Sequence, residues 1–143
     1  MAIDTTRFER IRQAAGSRSE SDVFAFAQEH EGGVGGLLDE VFGNMPDVFR
    51  ADRAKGQQAD FQYVIKTPDG PHEYFVRIHD GVCESGRGQV ESPQLTTTVE
   101  LPTFLRLVTG RINGMQAFLR GKVKLSGNTL YAAKFEHWFE RPS

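Results

Sequence analysis

Residues 61–80, FQYVIKTPDGPHEYFVRIHD, decide how this chain is read. Phe61, Tyr63 and Ile65 alternate with Gln62 and Lys66, the period of two that places successive side chains on opposite faces of a strand. Pro68-Asp69-Gly70-Pro71 interrupts the pattern. Proline presets φ there and glycine accepts positive φ, so the tetrapeptide is a turn. Alternation resumes with Tyr74, Val76 and Ile78, and the whole segment predicts a β-hairpin. Asp80-Gly81 marks a second tight turn. VCESGRGQ (82–89) then predicts a third strand, bulged or twisted at Gly86 and Gly88. QLTTTVEL (94–101), rich in β-branched residues, predicts a fourth. The four are expected as a meander.

Working outward in both directions, the period lengthens to that of helices. Upstream, Val23, Phe24, Phe26 and Ala27 form a helical stripe that starts near Asp22, with Ser19 or Ser21 as cap. The glycines of EGGVGG (31–36) break it. Leu37, Leu38, Val41, Phe42 and Met45 then recur on one face of an amphipathic helix. Pro46 ends that helix or begins a further short turn, and residues 50–60 form a polar connection. Downstream, LPTFLRLVTG (101–110) carries proline in its first turn and glycine at its end, the usual helix asymmetry. NGMQAFLRG (113–121) predicts a second short helix capped by Asn113 and closed by Gly121. KVKLS (122–126) is a short strand, and TLYAAKFEHWF (129–139) a last helix capped by Asn128. Segregated strands and helices predict an α+β fold, a mainly antiparallel sheet with helices on one face. At 143 residues the chain is expected to be one domain, with residues 1–20 a flexible N-terminal segment.

Several function classes are disfavoured. The net charge of −2 supplies no field for nucleic acid, so no nucleic-acid partner is expected. Cys83 stands alone, which leaves no internal disulfide and fits a reducing compartment. The charged start lacks the apolar run of a signal peptide, and no stretch has the length of a membrane span, so a soluble cytoplasmic protein is expected. Gly121-Lys122 within FLRGKVKLSGN (118–128) invites a phosphate-loop reading. However, Val123 replaces the required Ser or Thr, and a helix precedes the glycine instead of a strand. His72 and His79 point to opposite faces of one strand, and no metal-ligand spacing occurs; no metal and no cofactor are expected. Cys83 lies four residues from His79 across the Asp80-Gly81 turn, as a cross-strand neighbour would. ESGRG does not match the nucleophile-elbow pattern.

Two positive features remain. Arg106, Arg111, Arg120, Lys122 and Lys124 fall in a stretch from Leu101 to Lys134 that is poor in acids. This is either a solvated face or a transient membrane-surface contact. Phe104, Leu105, Leu107, Val108, Met115, Phe118 and Leu119 crowd two short helices beside the strands. Short helices leave room between layers, and methionine is an adaptable lining, so an apolar pocket is expected there.

The ordered set FRADRAKGQQADFQYVIK, EYFVRIHDG, PQLTTTVELPTFLRLVTGRING and MQAFLRGKVKLSGN resembles the sterol carrier protein 2 family over about residues 34–139. The likeness is to a stand-alone, bacterial-type member. It departs from the family in carrying Tyr74-Phe75 where a tryptophan is frequent, and in ending without a peroxisomal signal. The resemblance implies a five-stranded sheet with a hydrophobic tunnel between sheet and helices. It also implies non-catalytic binding or transfer of a hydrophobic small molecule or lipid, such as a fatty acyl chain or sterol. By position, Phe104, Leu107, Val108, Met115, Phe118 and Leu119 would line the tunnel, with Phe42 and Phe135 beside them. The alternative is a small enzyme on the same fold acting on a hydrophobic biosynthetic intermediate, with His79, Cys83, Tyr74 or Glu100 as acid–base groups. A third class, a partner-binding module, would show an exposed apolar patch instead of an enclosed one.

Overall fold

A computed structural model describes residues 20–139. The expected flexible segment 1–20 and the Ser19 cap lie outside them, apart from Glu20. Helices α1 (Glu20–Glu29) and α2 (Gly33–Gly43) come first, then the single turns α3 (Met45–Val48) and α4 (Ala51–Ala54). Strands β1 (Ala59–Thr67), β2 (Gly70–His79), β3 (Val82–Arg87) and β4 (Leu95–Glu100) follow, and then α5 (Leu101–Val108), α6 (Gly114–Leu119), β5 (Val123–Gly127) and α7 (Leu130–Trp138). Pro46 therefore opens α3, and the stretch read as a polar connection contains α4.

The five strands form one sheet in the order β3-β2-β1-β4-β5. The hairpin reads as predicted: Thr67 faces Gly70 across a two-residue loop, and the Thr67 hydroxyl donates to the Gly70 carbonyl at 2.7 Å. Asp80 and Gly81 join β2 to β3 with φ of 53° and 77°, the two positive values that a tight hairpin turn matching strand twist requires.

The meander ends there. β4 does not pair with β3; it crosses to lie parallel to β1, with Tyr63 beside Thr97, and β5 adds antiparallel at its outer edge. Gln62 holds the crossover. Its side-chain amide donates to the Tyr74 and Gly88 carbonyls at 3.0 and 2.9 Å, and its carbonyl accepts the Val90 N–H at 2.8 Å. The Gln94 side chain then accepts the Asp60 N–H at 2.6 Å, setting the start of β4 beside β1. The bulge expected at Gly86 is also absent, because β2 and β3 stay in continuous register through it. The glycine leaves room for the Phe75 ring: a Cβ would sit 3.3 Å from it, a contact tighter than usual.

One face of the sheet carries Phe61, Tyr63, Ile65, Tyr74, Val76, Ile78, Leu95 and Val99, and all are buried beneath the helices. α2 inserts Leu37, Leu38 and Phe42 into this layer, α5 contributes Leu101, Phe104 and Leu105, and α7 contributes Trp138. Phe42 is central. It stacks on Tyr74 at 4.5 Å and on Phe104 at 5.2 Å, and meets Tyr63 edge-on at 5.4 Å.

α2 is latched to the sheet by charge. Arg87 donates two hydrogen bonds to the Asp39 carboxylate, at 2.6 and 2.7 Å, and the Tyr74 hydroxyl donates a third at 2.7 Å. The Arg87 bonds come first in holding the Asp39 carboxyl below its ordinary pKa. Burial first, and then the bond to Asp39, pushes the Tyr74 phenol up to about 12. The Asp39 contribution is thus complete above the unfolded-state value near 3.8 and disappears as pH falls through the lower folded value. The Tyr74 contribution is complete below about pH 10 and declines between there and about 12. Asp39→Asn should flatten the acid limb of a Tm-against-pH curve and reduce the alkaline limb only in part, since burial remains the larger cause of the Tyr74 shift. Equal acid limbs in the two proteins would remove the latch from the account.

Candidate functional site

The two halves of the sheet are covered unequally. α2 and α3 close over β2 and β3. Above β1, β4 and β5 the cover is α5, α6 and α7, and α6 is six residues long and buries only Ala117. A helix that short cannot fill the layer, and a cavity of about 490 Å³ remains. This lies within the roughly 300–1,000 Å³ usual for small-molecule sites.

The floor of the cavity is Tyr63 from β1, Leu95, Thr97 and Val99 from β4, and Val123 and Leu125 from β5. Strand alternation aims each of these at the helices. Phe104, Leu107 and Val108 line it from α5, Phe135 from α7 and Phe139 just after it, and Met45 and Val48 from α3. Met115, Phe118 and Leu130 complete the lining and are themselves exposed, at 62%, 43% and 71%, so they mark the mouth. Local signals position these elements as expected: the Asn113 side chain accepts the Gln116 N–H at 2.7 Å and caps α6, and the Asn128 side chain accepts the Leu130 N–H at 3.1 Å at the start of α7.

Of the eight residues expected along the wall, the structure places Phe104, Leu107, Val108, Met115, Phe118 and Phe135 on the lining. Leu119 is not there. It is 75% exposed on the outer side of α6, because a helix of under two turns presents only part of its circumference to the sheet. Phe42 is absent as well; it is consumed by the ring stack that separates the cavity from the core under α2.

The four residues considered for acid–base chemistry are dispersed, and none lines the cavity. His79 is half-exposed on the opposite face of the sheet, where its ring nitrogen lies 3.2 Å from Asp60, which also accepts from Arg77 at 3.1 Å. Cys83 pairs with Ile78, not with His79, and so faces the core. Burial, and then the charge of Glu84, pushes its thiol up to about 12, which keeps it protonated. Tyr74 is committed to Asp39 and to the Gly35 carbonyl. Glu100 is exposed at the start of α5. Among the described residues, no group of three or more His, Cys, Asp or Glu could hold a metal ion.

The sequence reading missed the polar part of the lining. Tyr63, Thr97 and Thr129 contribute hydroxyls, and among the described residues Glu136 is the one charged side chain there. The Glu136 carboxylate accepts the Gly114 N–H at 3.0 Å and ties α7 to the start of α6. A signal for Thr97 did exist: it sits on the apolar parity of β4, between Leu95 and Val99. The basic residues Lys122 and Lys124 are exposed, and neither they nor Arg120 line the cavity. Among the described residues, no helix is long and apolar enough to cross a membrane.

Comparison with known proteins gives consistent results. The profile of the SCP-2 sterol transfer family matches residues 42–140. Hydroxysteroid dehydrogenase-like protein 2 of Bos taurus is 28% identical over 103 residues, which are 71% of this chain and 24% of that protein; the chain thus spans about a quarter of this relative's length. The crystal structure of sterol carrier protein 2 like 2 from Aedes aegypti superposes with a TM-score of 0.57 at 26% identity, covering 71% of this chain and 91% of that one. The apo form of sterol carrier protein 2 from Yarrowia lipolytica gives 0.59 at 18% identity, covering 80% and 99%, a likeness of fold.

Proposed function

The chain belongs to the SCP-2 sterol transfer family, and we propose that it holds one apolar molecule in the cavity between β1, β4, β5 and the short helices and carries it unchanged. The supporting observation is the lining itself: wide enough for a lipid, predominantly apolar, and free of His79, Cys83, Tyr74 and Glu100. Burial of a hydrocarbon chain supplies affinity of about 0.8 kcal/mol per methylene. Catalysis would need an acid and a base converging on one reacting atom. The scatter of the four candidates over both sheet faces favours carriage over turnover.

The test is extraction followed by ligand addition. Purified protein should release a lipid detectable by mass spectrometry. Delipidated protein at about 100 Kd of a long-chain ligand should gain about 2.7 kcal/mol, read as a Tm rise of roughly 10 °C. Neither extracted lipid nor a thermal shift from any long-chain compound would exclude carriage.

Loading is proposed to occur at a membrane surface. Met115, Phe118 and Leu130 project around the mouth, Leu119 is exposed on the outer side of α6 beside them, and Arg120 and Lys122 follow directly on α6. An apolar tip beside cations suits the boundary of an anionic bilayer. The double variant Met115→Glu, Leu119→Glu should lower co-sedimentation with vesicles containing one-third phosphatidylglycerol at least fivefold. Unchanged sedimentation would disconnect the mouth from membranes.

A further inference from the structure

Tyr63 and Thr97 are lateral neighbours in the parallel β1–β4 ladder, and both line the cavity. Each is only 9% exposed. Among the described residues neither hydroxyl has a hydrogen-bond partner, whereas Gln62, on the opposite face of the same strand, is fully occupied. Two hydroxyls thus rise from an apolar floor, one on a short arm and one on a long arm. Water can satisfy them in the empty cavity. A ligand that expels the water leaves them unpaired unless it brings an oxygen of its own, and an unpaired buried hydroxyl is unfavourable.

The charge at the site narrows the ligand chemistry. Glu136 stands at the mouth with its carboxylate fixed by the Gly114 N–H, and among the described residues no Lys or Arg is on the lining to offset it. Burial first, and next the Glu136 charge, raises the Tyr63 pKa, so the phenol remains a neutral donor. The field that opposes a tyrosinate also opposes a ligand anion beside Tyr63.

We propose that Tyr63 and Thr97 form a hydrogen-bonding station for a lipid whose polar group is neutral and oxygen-bearing, an alcohol or a carbonyl, and that Glu136 discriminates against carboxylate lipids. The inference rests on the carrier reading and specifies its ligand class. Apolar groups dominate affinity, and the oxygen sets orientation and preference.

The test is displacement of a neutral fluorescent hydrocarbon, diphenylhexatriene, at pH 8 by dodecane, 1-dodecanol and dodecanoate. The alcohol should bind about tenfold more tightly than either of the others, the effect of one satisfied buried hydrogen bond. The near-isosteric double variant Tyr63→Phe, Thr97→Val should reduce that preference over dodecane to below about threefold, chiefly by tightening dodecane, which no longer strands two hydroxyls and whose retained binding also reports an intact cavity. Glu136→Gln, which keeps an acceptor for Gly114, should tighten dodecanoate about threefold and leave the alcohol alone. Dodecanoate matching or beating dodecanol in the unmodified protein, or an undiminished alcohol preference in the double variant, would overturn the proposal while carriage stands. Failure of all three to displace the probe would overturn the carrier reading, and this proposal with it.

Discussion

Phe42→Ala should destabilise the protein by about 3–5 kcal/mol, the largest effect of any single truncation considered for this chain. Phe42 is 1% exposed and touches three other rings, stacking on Tyr74 and Phe104 and meeting Tyr63 edge-on. Removal leaves a void between α2, α5 and the sheet, and Tyr74 cannot follow into it because its hydroxyl is bonded to Asp39 and Gly35. Transfer and cavity costs therefore add. Guanidinium unfolding monitored by circular dichroism measures the loss. Phe42→Leu, which keeps most of the volume, should lose about half as much and still respond to long-chain ligands, since Phe42 is not on the cavity lining. A loss under about 1 kcal/mol for the alanine variant would contradict the packing described.

Leu125→Trp should have the opposite profile, abolishing ligand binding and sparing the fold. Leu125 is half-buried on β5 and faces the cavity. Tryptophan suits a strand, and its extra volume would enter the 490 Å³ space in place of ligand. Ordinary core overpacking costs about 1–3 kcal/mol, because filled space must be forced open. Here the space is open already, so the Tm of the delipidated protein should be unchanged or higher. The ligand-induced Tm rise should vanish and Kd should weaken at least 30-fold. Retained binding would place the ligand elsewhere. Lowered Tm with lost binding would show that the cavity is less open than described.

Much of this architecture is legible in short-range pattern. The alternation of Phe61, Tyr63 and Ile65, the turn residues at 68–71 and 80–81, and the caps Asn113 and Asn128 act within a few residues, and each predicted element forms. The partner of β4 was not legible in that way. QLTTTVEL makes a strand against either neighbour, and the choice of β1 over β3 depends on Gln62 reaching Tyr74, Gly88 and Val90 at once. Those residues are 12 to 28 positions apart, and Gln62 occupies the parity that alternation marks as wet. The cavity was half legible. The apolar crowd on α5 and α6 pointed to it, but Leu119 and Phe118 are equally apolar neighbours and only packing sends one outward.

The sequence by itself determined the main elements, the single turn α4 excepted, the apolar face of each strand and the shortness of α5 and α6, because periodicity, capping and turn chemistry are local. It also excluded a phosphate loop, since that motif has strict spacing. Tertiary structure decided three things: that β4 crosses to β1, that Phe42 plugs the core and does not line the cavity, and that Tyr63, Thr97 and Glu136 meet at one apolar space. Each joins residues distant in the chain through a register or a packing choice, and local preference is neutral about such choices.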